Sequence, residues 1–244
     1  MIAPNDSGTE SGLSACSFFK TFDMRYKILF ALAVVAFTVL ACNNSGKSKK
    51  AEQDSLLNKD SVNNAALDRD KVDPVRDSIL FSLTQKTMQY LKNRNYDSLA
   101  ALADPLRGIR FSPHAFIDTT TDQVIMPATL SNWNDKKKQP VIHWGNNDAS
   151  GDPINATIDG FIKNHIYEVD FLKADSIKAN RFMGGGNTLN NLLTVYNDCY
   201  FTESYFKGFD KKYEGMDWRS LRMVFKKSGD KYFLVAIVHD QWSI

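Results

Sequence analysis

The chain has 244 residues, of which 43% are hydrophobic and 12% aromatic, a composition typical of a globular protein with a proper core. A chain of this length forms one large domain or two small ones. The 30 basic and 28 acidic residues leave a formal net charge of +2, which is too even for a nucleic-acid-binding protein.

The segment 24–42 has the features of an export signal. Arg25 and Lys27 precede fourteen uncharged, mainly apolar residues, and Cys42 follows them. A helix of fourteen residues spans roughly 21 Å, short of the roughly 30 Å core of a bilayer, which argues against a transmembrane helix. The sequence Val39-Leu40-Ala41-Cys42 resembles the lipobox of bacterial lipoproteins.

This resemblance implies that residues 24–41 are a cleaved signal peptide and that Cys42 carries diacylglycerol and usually a further acyl chain, such as palmitate. Two or three acyl chains hold a protein firmly on a membrane. Asn43 and Asn44 follow, as in lipoproteins that are sent to an outer membrane. We therefore expect a lipid-anchored envelope protein, on the outer membrane, with its domain in the periplasm or at the surface.

Residues 1–23 are polar and do not fit in front of a positive signal start. We interpret them as an extension that results from a start codon assigned too early, with translation beginning at Met24. Between Asn43 and Asp73 no aromatic residue occurs, so the segment cannot bury enough apolar surface to offset its ordering entropy. We predict residues 42–73 to be the lipidated cysteine and a flexible tether, and residues 74–244 to be one globular domain.

Within the domain, apolar residues at helical spacing predict a helix over 75–92, started by Pro74. Turns or loops are predicted at 118–122, 136–138, 146–153 and 184–186. The remaining predicted elements are, in chain order, a short helix capped by Asp97 or Ser98 and ending before Pro105, a strand over 108–117, a helical turn over 126–133, a strand over 141–144, a helix over 155–165, a helix capped by Asn187 or Thr188 and running to 195, and strands over 200–206, 218–227 and 231–242.

Helices first and a twisted antiparallel sheet last predict an α+β fold, in which N-terminal helices pack on a curved, mainly antiparallel sheet in a cone-like roll. This order resembles the nuclear transport factor 2-like superfamily, which implies a cone-shaped cavity. Residues 106–244 also contain the motifs Gly108-Ile109-Arg110-Phe111-Ser112-Pro113, Trp144-Gly145, Ser150-Gly151-Asp152-Pro153, Gly186-Asn187-Thr188, Tyr213-Glu214-Gly215-Met216-Asp217-Trp218 and His239-Asp240-Gln241-Trp242. These motifs are similar to a family of uncharacterised exported bacterial domains, a resemblance that implies no activity.

Several motifs that carry chemistry in other proteins are incomplete in this one. Residues 146–152 resemble the first half of a calcium loop, but Thr157 stands where a bidentate Glu is needed, which favours a polar turn. The glycines 184–186 lack the Lys-Ser/Thr pair of a phosphate-binding loop. Cys199 has no activating neighbours and is predicted to be a buried, inert thiol. The four histidines show no metal-ligand spacing, so no metal or cofactor is predicted: His114, His143, His165 and His239.

The last hairpin divides structure from function. Gly229-Asp230 suits a two-residue type II′ turn, which pairs Ser228 with Lys231. That register places Arg219 opposite Asp240 as a structural ion pair. It assigns six apolar residues to the core face in three pairs: Phe225 with Leu234, Met223 with Ala236, and Leu221 with Val238.

The other face of this hairpin carries the candidate ligand-binding residues Trp218, Ser220, Arg222, His239 and Gln241, above an apolar floor. A three-residue loop would instead place His239 opposite Arg219 and reverse the faces of one strand. His239 and its neighbour Asp240 point to opposite faces of a strand, so they do not form a catalytic dyad.

These features favour a non-enzymatic envelope lipoprotein whose domain binds a small ligand or an envelope component, with the membrane as its partner. The alternatives are an enzyme, a hydrolase or isomerase with a His or Asp base, and a purely structural role. A cluster of His and carboxylate facing a cavity would favour the enzyme, an apolar cavity with one Arg would favour binding, and a filled core would favour the structural role.

Overall fold

The computed structural model of the protein describes residues 69–243. The predicted extension, signal peptide and lipidated cysteine, and most of the tether, lie outside these residues. The helices are α1 (Pro74–Asn93), α2 (Tyr96–Ala100), α3 (Pro127–Asn132), α4 (Ile158–Phe161, continued by a π-helical turn at Ile162–Ile166) and α5 (Leu192–Val195).

Helix α1 begins where its sequence directs it. The Asp73 side chain accepts a hydrogen bond from the backbone N–H of Arg76, and Pro74 occupies the first turn. Arg94 ends the helix in a left-handed conformation, with φ at 55°. The prediction for this helix is therefore confirmed.

Six strands form a mixed, open sheet in the order β2-β1-β8-β7-β6-β5, and β3 and β4 form a separate hairpin. Every pairing is antiparallel except that of β1 with β8. The predicted α+β class with a mainly antiparallel sheet is confirmed. The strands are β1 (Ile109–Ser112), β2 (Gln123–Ile125), β3 (Ile142–Asn146), β4 (Pro153–Ala156), β5 (Ser176–Ala179), β6 (Tyr200–Phe206), β7 (Arg219–Ser228) and β8 (Lys231–Gln241).

Three short strands were missed, and two predicted helices are shorter than expected. Strands β2 and β5 are three and four residues long and depend on a partner strand. The first two residues of the helix predicted over 155–165 belong to β4. The helix predicted from residue 187 or 188 to 195 is reduced to the four residues of α5. These errors fall where alternation over three or four residues is too short to define an element.

Both faces of the six-stranded sheet are covered. On the inner face, the helices α1 to α4 pack on Leu221, Met223 and Ile237. On the outer face, α5 and the chain around Ile117 pack on Val224 and other small apolar residues. The sheet is thus the middle layer of the domain, which leaves little of either face free for a ligand.

The last hairpin has the predicted turn but not the predicted register. Gly229 has φ at 57°, and Ser228 pairs with Lys231, as in the type II′ turn. A β-bulge then inserts Val235 between the pairs Phe225–Leu234 and Val224–Ala236. Beyond the bulge every pair is displaced by one residue, so the predicted pairings of Met223, Leu221 and Arg219 are wrong.

The predicted tether meets the domain earlier than expected. The Arg69 guanidinium donates hydrogen bonds to the backbone carbonyls of Tyr196, Asn197 and Cys199. The chain is therefore held to the domain from Arg69, five residues before α1. Among residues 69–243, no helix combines the length and the apolar character needed to span a bilayer.

Candidate functional site

The displaced register buries a charged cluster under the outer face. Arg222 donates from Nε to Glu203 at 3.1 Å and from Nη2 to Asp240 at 2.7 Å. The three side chains are 0%, 0% and 4% exposed. Burial raises the pKa of Asp240, although the Arg222 charge opposes this change. Asp240 pairs with Arg222 and not with Arg219, so the predicted ion pair between Arg219 and Asp240 is wrong.

The segment that contains the glycines 184–186 covers the charged cluster on the outer face of the sheet. The Glu203 carboxylate accepts hydrogen bonds from the backbone N–H groups of Met183 and Gly184 and from the Ser220 hydroxyl. A Cβ on Gly184 would lie 2.7 Å from Cζ3 of Trp218. Gly184 and Gly186 therefore let the chain cross closely over an indole ring instead of forming the predicted sharp turn.

This glycine segment covers three of the five residues that were predicted to bind a ligand. Trp218, Ser220 and Arg222 are buried beneath it, and none of them lines the cavity at the end of β8 or the cavity beside Phe116. His239 and Gln241, which the bulge turns away from these three, line a cavity at the end of β8. The structure thus separates the five predicted residues into two groups.

The cavity arises where β1 leaves β8. The two strands pair only as far as Ser112 and Val238, because Pro113 has no N–H to continue the ladder. Beyond this pair β8 runs on beside β7 alone, and the space left at its free edge has a volume of about 300 Å³. We call it the β8 cavity, lined by Pro113, His114, Asn147, Asp148, Ala149, Asn164, His165, Thr188, His239, Asp240, Gln241, Trp242 and Ser243.

His239 is held in the wall of this cavity by a carboxylate. Its Nε2 lies 2.8 Å from Oε1 of Glu168, and Nε of Arg219 lies 3.2 Å from the same oxygen. Burial raises the pKa of Glu168, but the hydrogen bond from His239 and the electrostatic interactions with His239 and Arg219 outweigh burial, and the net pKa is lowered. The adjacent residues His239 and Asp240 do bind partners on opposite faces, as predicted.

Two further histidines complete the cavity. Nε2 of His114 lies 2.7 Å from the carbonyl oxygen of Asn146, and His165 stacks on the ring of Phe161. Burial, with the neighbouring His114 and His239, lowers the pKa of His165, so its imidazole is neutral at pH 7. A neutral imidazole offers one donor and one acceptor.

Asp148 supplies a fixed acceptor beside the histidines. Its Oδ2 accepts hydrogen bonds from the hydroxyls of Thr188 at 2.5 Å and Ser243 at 2.8 Å. Burial raises its pKa, but these two bonds and the neighbouring His114 together lower the pKa by more, so the carboxylate is ionised. The segment 146–152, weighed as a calcium loop, is a turn between β3 and β4 with Asp148 directed to Thr188.

Sequence reasoning missed most of this site. His114, Asp148 and His165 come from three separate segments, and Glu168 follows the π-helical turn. None of them lies at a recognisable spacing from His239, so a local pattern had no means of assembling them. Within residues 69–243, no group of three His, Cys, Asp or Glu residues is positioned to hold a metal ion.

Cys199 is buried in the outer-face cluster, as predicted. Burial and the neighbouring Asp198 raise the pKa of its thiol to about 12, so it is protonated at neutral pH. Its surroundings are those of an inert thiol and not of a nucleophile. Compared with known proteins, the chain matches no protein-family model and is similar to none of the curated proteins searched.

Proposed function

We propose that this protein is a bacterial envelope lipoprotein, anchored through Cys42, whose domain binds a small polar ligand in the β8 cavity. The observation that carries the proposal is the cavity itself, a volume of about 300 Å³ in which three histidines from separate segments converge. Ligand pockets begin at about this size and use a few converging polar groups for orientation.

The anchor rests on the lipobox at Val39-Leu40-Ala41-Cys42. Growth with labelled palmitate should mark the wild-type protein, and Cys42→Ala should remove the label. Label that remains on Cys42→Ala would refute the anchor.

The ligand is tested by mass spectrometry of small molecules extracted from protein purified in detergent. His114→Ala should lose the bound compound, because His114 lines the cavity. His143→Ala is the matched control, since His143 is exposed and lies outside the cavity lining. Equal amounts in all three proteins, or a wild-type protein that carries nothing and is not stabilised by an envelope extract, would overturn the proposal.

A second candidate function is acid–base catalysis on the bound compound. The specific observation in its favour is the hydrogen bond between His239 and Glu168 at the cavity wall, since a carboxylate commonly orients a histidine that acts as a general base. The apolar site with one arginine expected for a pure binder is absent from the cavity lining. Incubating the extracted compound with fresh protein separates the two functions, because only an enzyme changes its mass.

A further inference from the structure

A second cavity adjoins the β8 cavity and extends it. It has a volume of about 180 Å³ and shares four lining residues with the first, Pro113, His114, Asn147 and Asp148. His114 therefore stands between two lobes of one elongated groove. We call this the two-lobed groove, in which the β8 cavity is the first lobe and the cavity beside Phe116 is the second.

The charges of the groove disfavour an anionic ligand. Among the residues of 69–243 that line either lobe, there is no Lys and no Arg. Asp148 is ionised in the first lobe. In the second lobe, hydrogen bonds from Thr120 lower the pKa of Asp118 to about 2. Phosphates, nucleotides and fatty acids would meet these carboxylates with no lysine or arginine to offset them.

The polar groups of the groove match a ligand that both donates and accepts hydrogen bonds. The amides of Asn147, Asn164 and Gln241 and the hydroxyls of Thr188 and Ser243 line the first lobe. A simple cation would use acceptors only and would leave the amide donors unsatisfied. Hydroxyl groups satisfy both kinds of partner, so the groove fits an uncharged compound with many hydroxyls.

An exposed aromatic ring lies in each lobe. Trp242 lines the first lobe and is 38% exposed, and Phe116 lines the second and is 45% exposed. Aromatic rings have broad apolar faces and lose few rotamers on binding. The C–H faces of sugar rings pack on such surfaces while their hydroxyls reach polar groups at the edges.

We propose that the two-lobed groove binds a linear, uncharged oligosaccharide, with one sugar ring against Trp242, one against Phe116, and His114 between them. This inference rests on the proposed binding function and names its ligand class. The length of the groove, and not the first lobe alone, then sets the affinity, because a single sugar fills only one lobe.

The test measures calorimetric binding of neutral oligosaccharides to the full-length acylated protein in a detergent without a sugar headgroup. The probes are glucose, mannose, galactose and N-acetylglucosamine oligomers of one to four units. At least one series should bind at least tenfold more tightly as a trimer than as a monomer. An acidic galacturonate trimer should bind at least tenfold more weakly than the best neutral trimer.

Two variants assign the lobes. Trp242→Ala should weaken both monomer and trimer binding at least tenfold, whereas Phe116→Ala should weaken the trimer and leave the monomer within twofold. Tyr213→Ala is the matched control, since Tyr213 is 45% exposed and lies outside the groove. It should change neither.

The outcomes separate this inference from the function beneath it. If none of the neutral oligosaccharide series binds, or if the number of sugar units does not change the affinity, the proposal that the groove binds an oligosaccharide is refuted. The binding function still stands in that case, provided that wild-type protein carries a compound that His114→Ala loses. If that compound is also missing, both proposals fail.

Discussion

The buried position of Arg222 makes its removal a sharp test of the hairpin register. Arg222→Met leaves the carboxylates of Glu203 and Asp240 in place without the guanidinium that now lies between them. Removing one partner of a buried ion pair typically costs about 3–5 kcal/mol, because a charge remains buried without compensation. We expect the free energy of unfolding to fall by that amount at pH 8.

The loss should be smaller at acidic pH. Burial already raises the pKa of Asp240, and removing Arg222 takes away the charge that opposes this. In the variant, the folded state therefore holds the Asp240 proton to a higher pH than the unfolded state does. Its stability is then greatest below the ordinary carboxyl pKa and falls as the pH rises through the raised one. Urea unfolding at pH 5 and pH 8 measures this difference.

A double-mutant cycle identifies the partner of Asp240. Arg222→Met combined with Asp240→Asn should give a coupling of about 1.5–3 kcal/mol, the range for a hydrogen bond to a charged group. Arg219→Met with Asp240→Asn should give none, because Arg219 lies by Glu168. Coupling to Arg219, or less than about 0.5 kcal/mol with Arg222, would refute the bulge and restore the regular register.

Three further outcomes are expected. Burial raises the pKa of Asp122 from 3.8 to about 7, so the stability that its proton contributes is lost as the pH rises between those values. The free energy of unfolding of Asp122→Asn, measured in urea, should therefore rise relative to that of the wild type by up to about 4 kcal/mol from pH 4 to pH 8. A difference that does not change with pH would contradict the burial of Asp122. Gly184→Ala should cost about 1–3 kcal/mol through the clash with Trp218, whereas Gly185→Ala, whose Cβ meets nothing within 4 Å, should be close to neutral; equal effects would argue against the close crossing. Cys199 should resist iodoacetamide at pH 8 in the folded protein and react in urea, and rapid reaction without denaturant would show that the thiol is accessible.

Local signals predicted the elements that are long or sharply bounded. Helix α1 has twenty residues, a capping Asp73 and a proline in its first turn, and β6 has seven residues with clear boundaries. The dipeptide Gly229-Asp230 specifies the turn type, because a type II′ turn favours glycine at its first central position. Shorter elements such as β2 and β5 have too few residues to show a period and form only on a partner strand.

The candidate site depended on one residue that no pattern marks. The run from Leu234 to Val238 is apolar throughout, so a period of two is invisible in it, and the bulge at Val235 leaves no local signal. That single residue moves Asp240 to Arg222 and His239 to Glu168. The predicted ligand face is split for the same reason.

The sequence by itself determined the α+β class, the order of the main elements, the type of the last turn and the burial of Cys199, because each depends on neighbouring residues or on composition. It also predicts the lipid anchor at Cys42, which a short linear motif carries. Only the tertiary structure decided where a ligand finds space. The β8 cavity exists because the pairing of β1 with β8 ends at Ser112 and because chain segments far apart in sequence bring His114 and His165 to the free edge. Contacts of that range follow from packing, which the linear order of residues does not display.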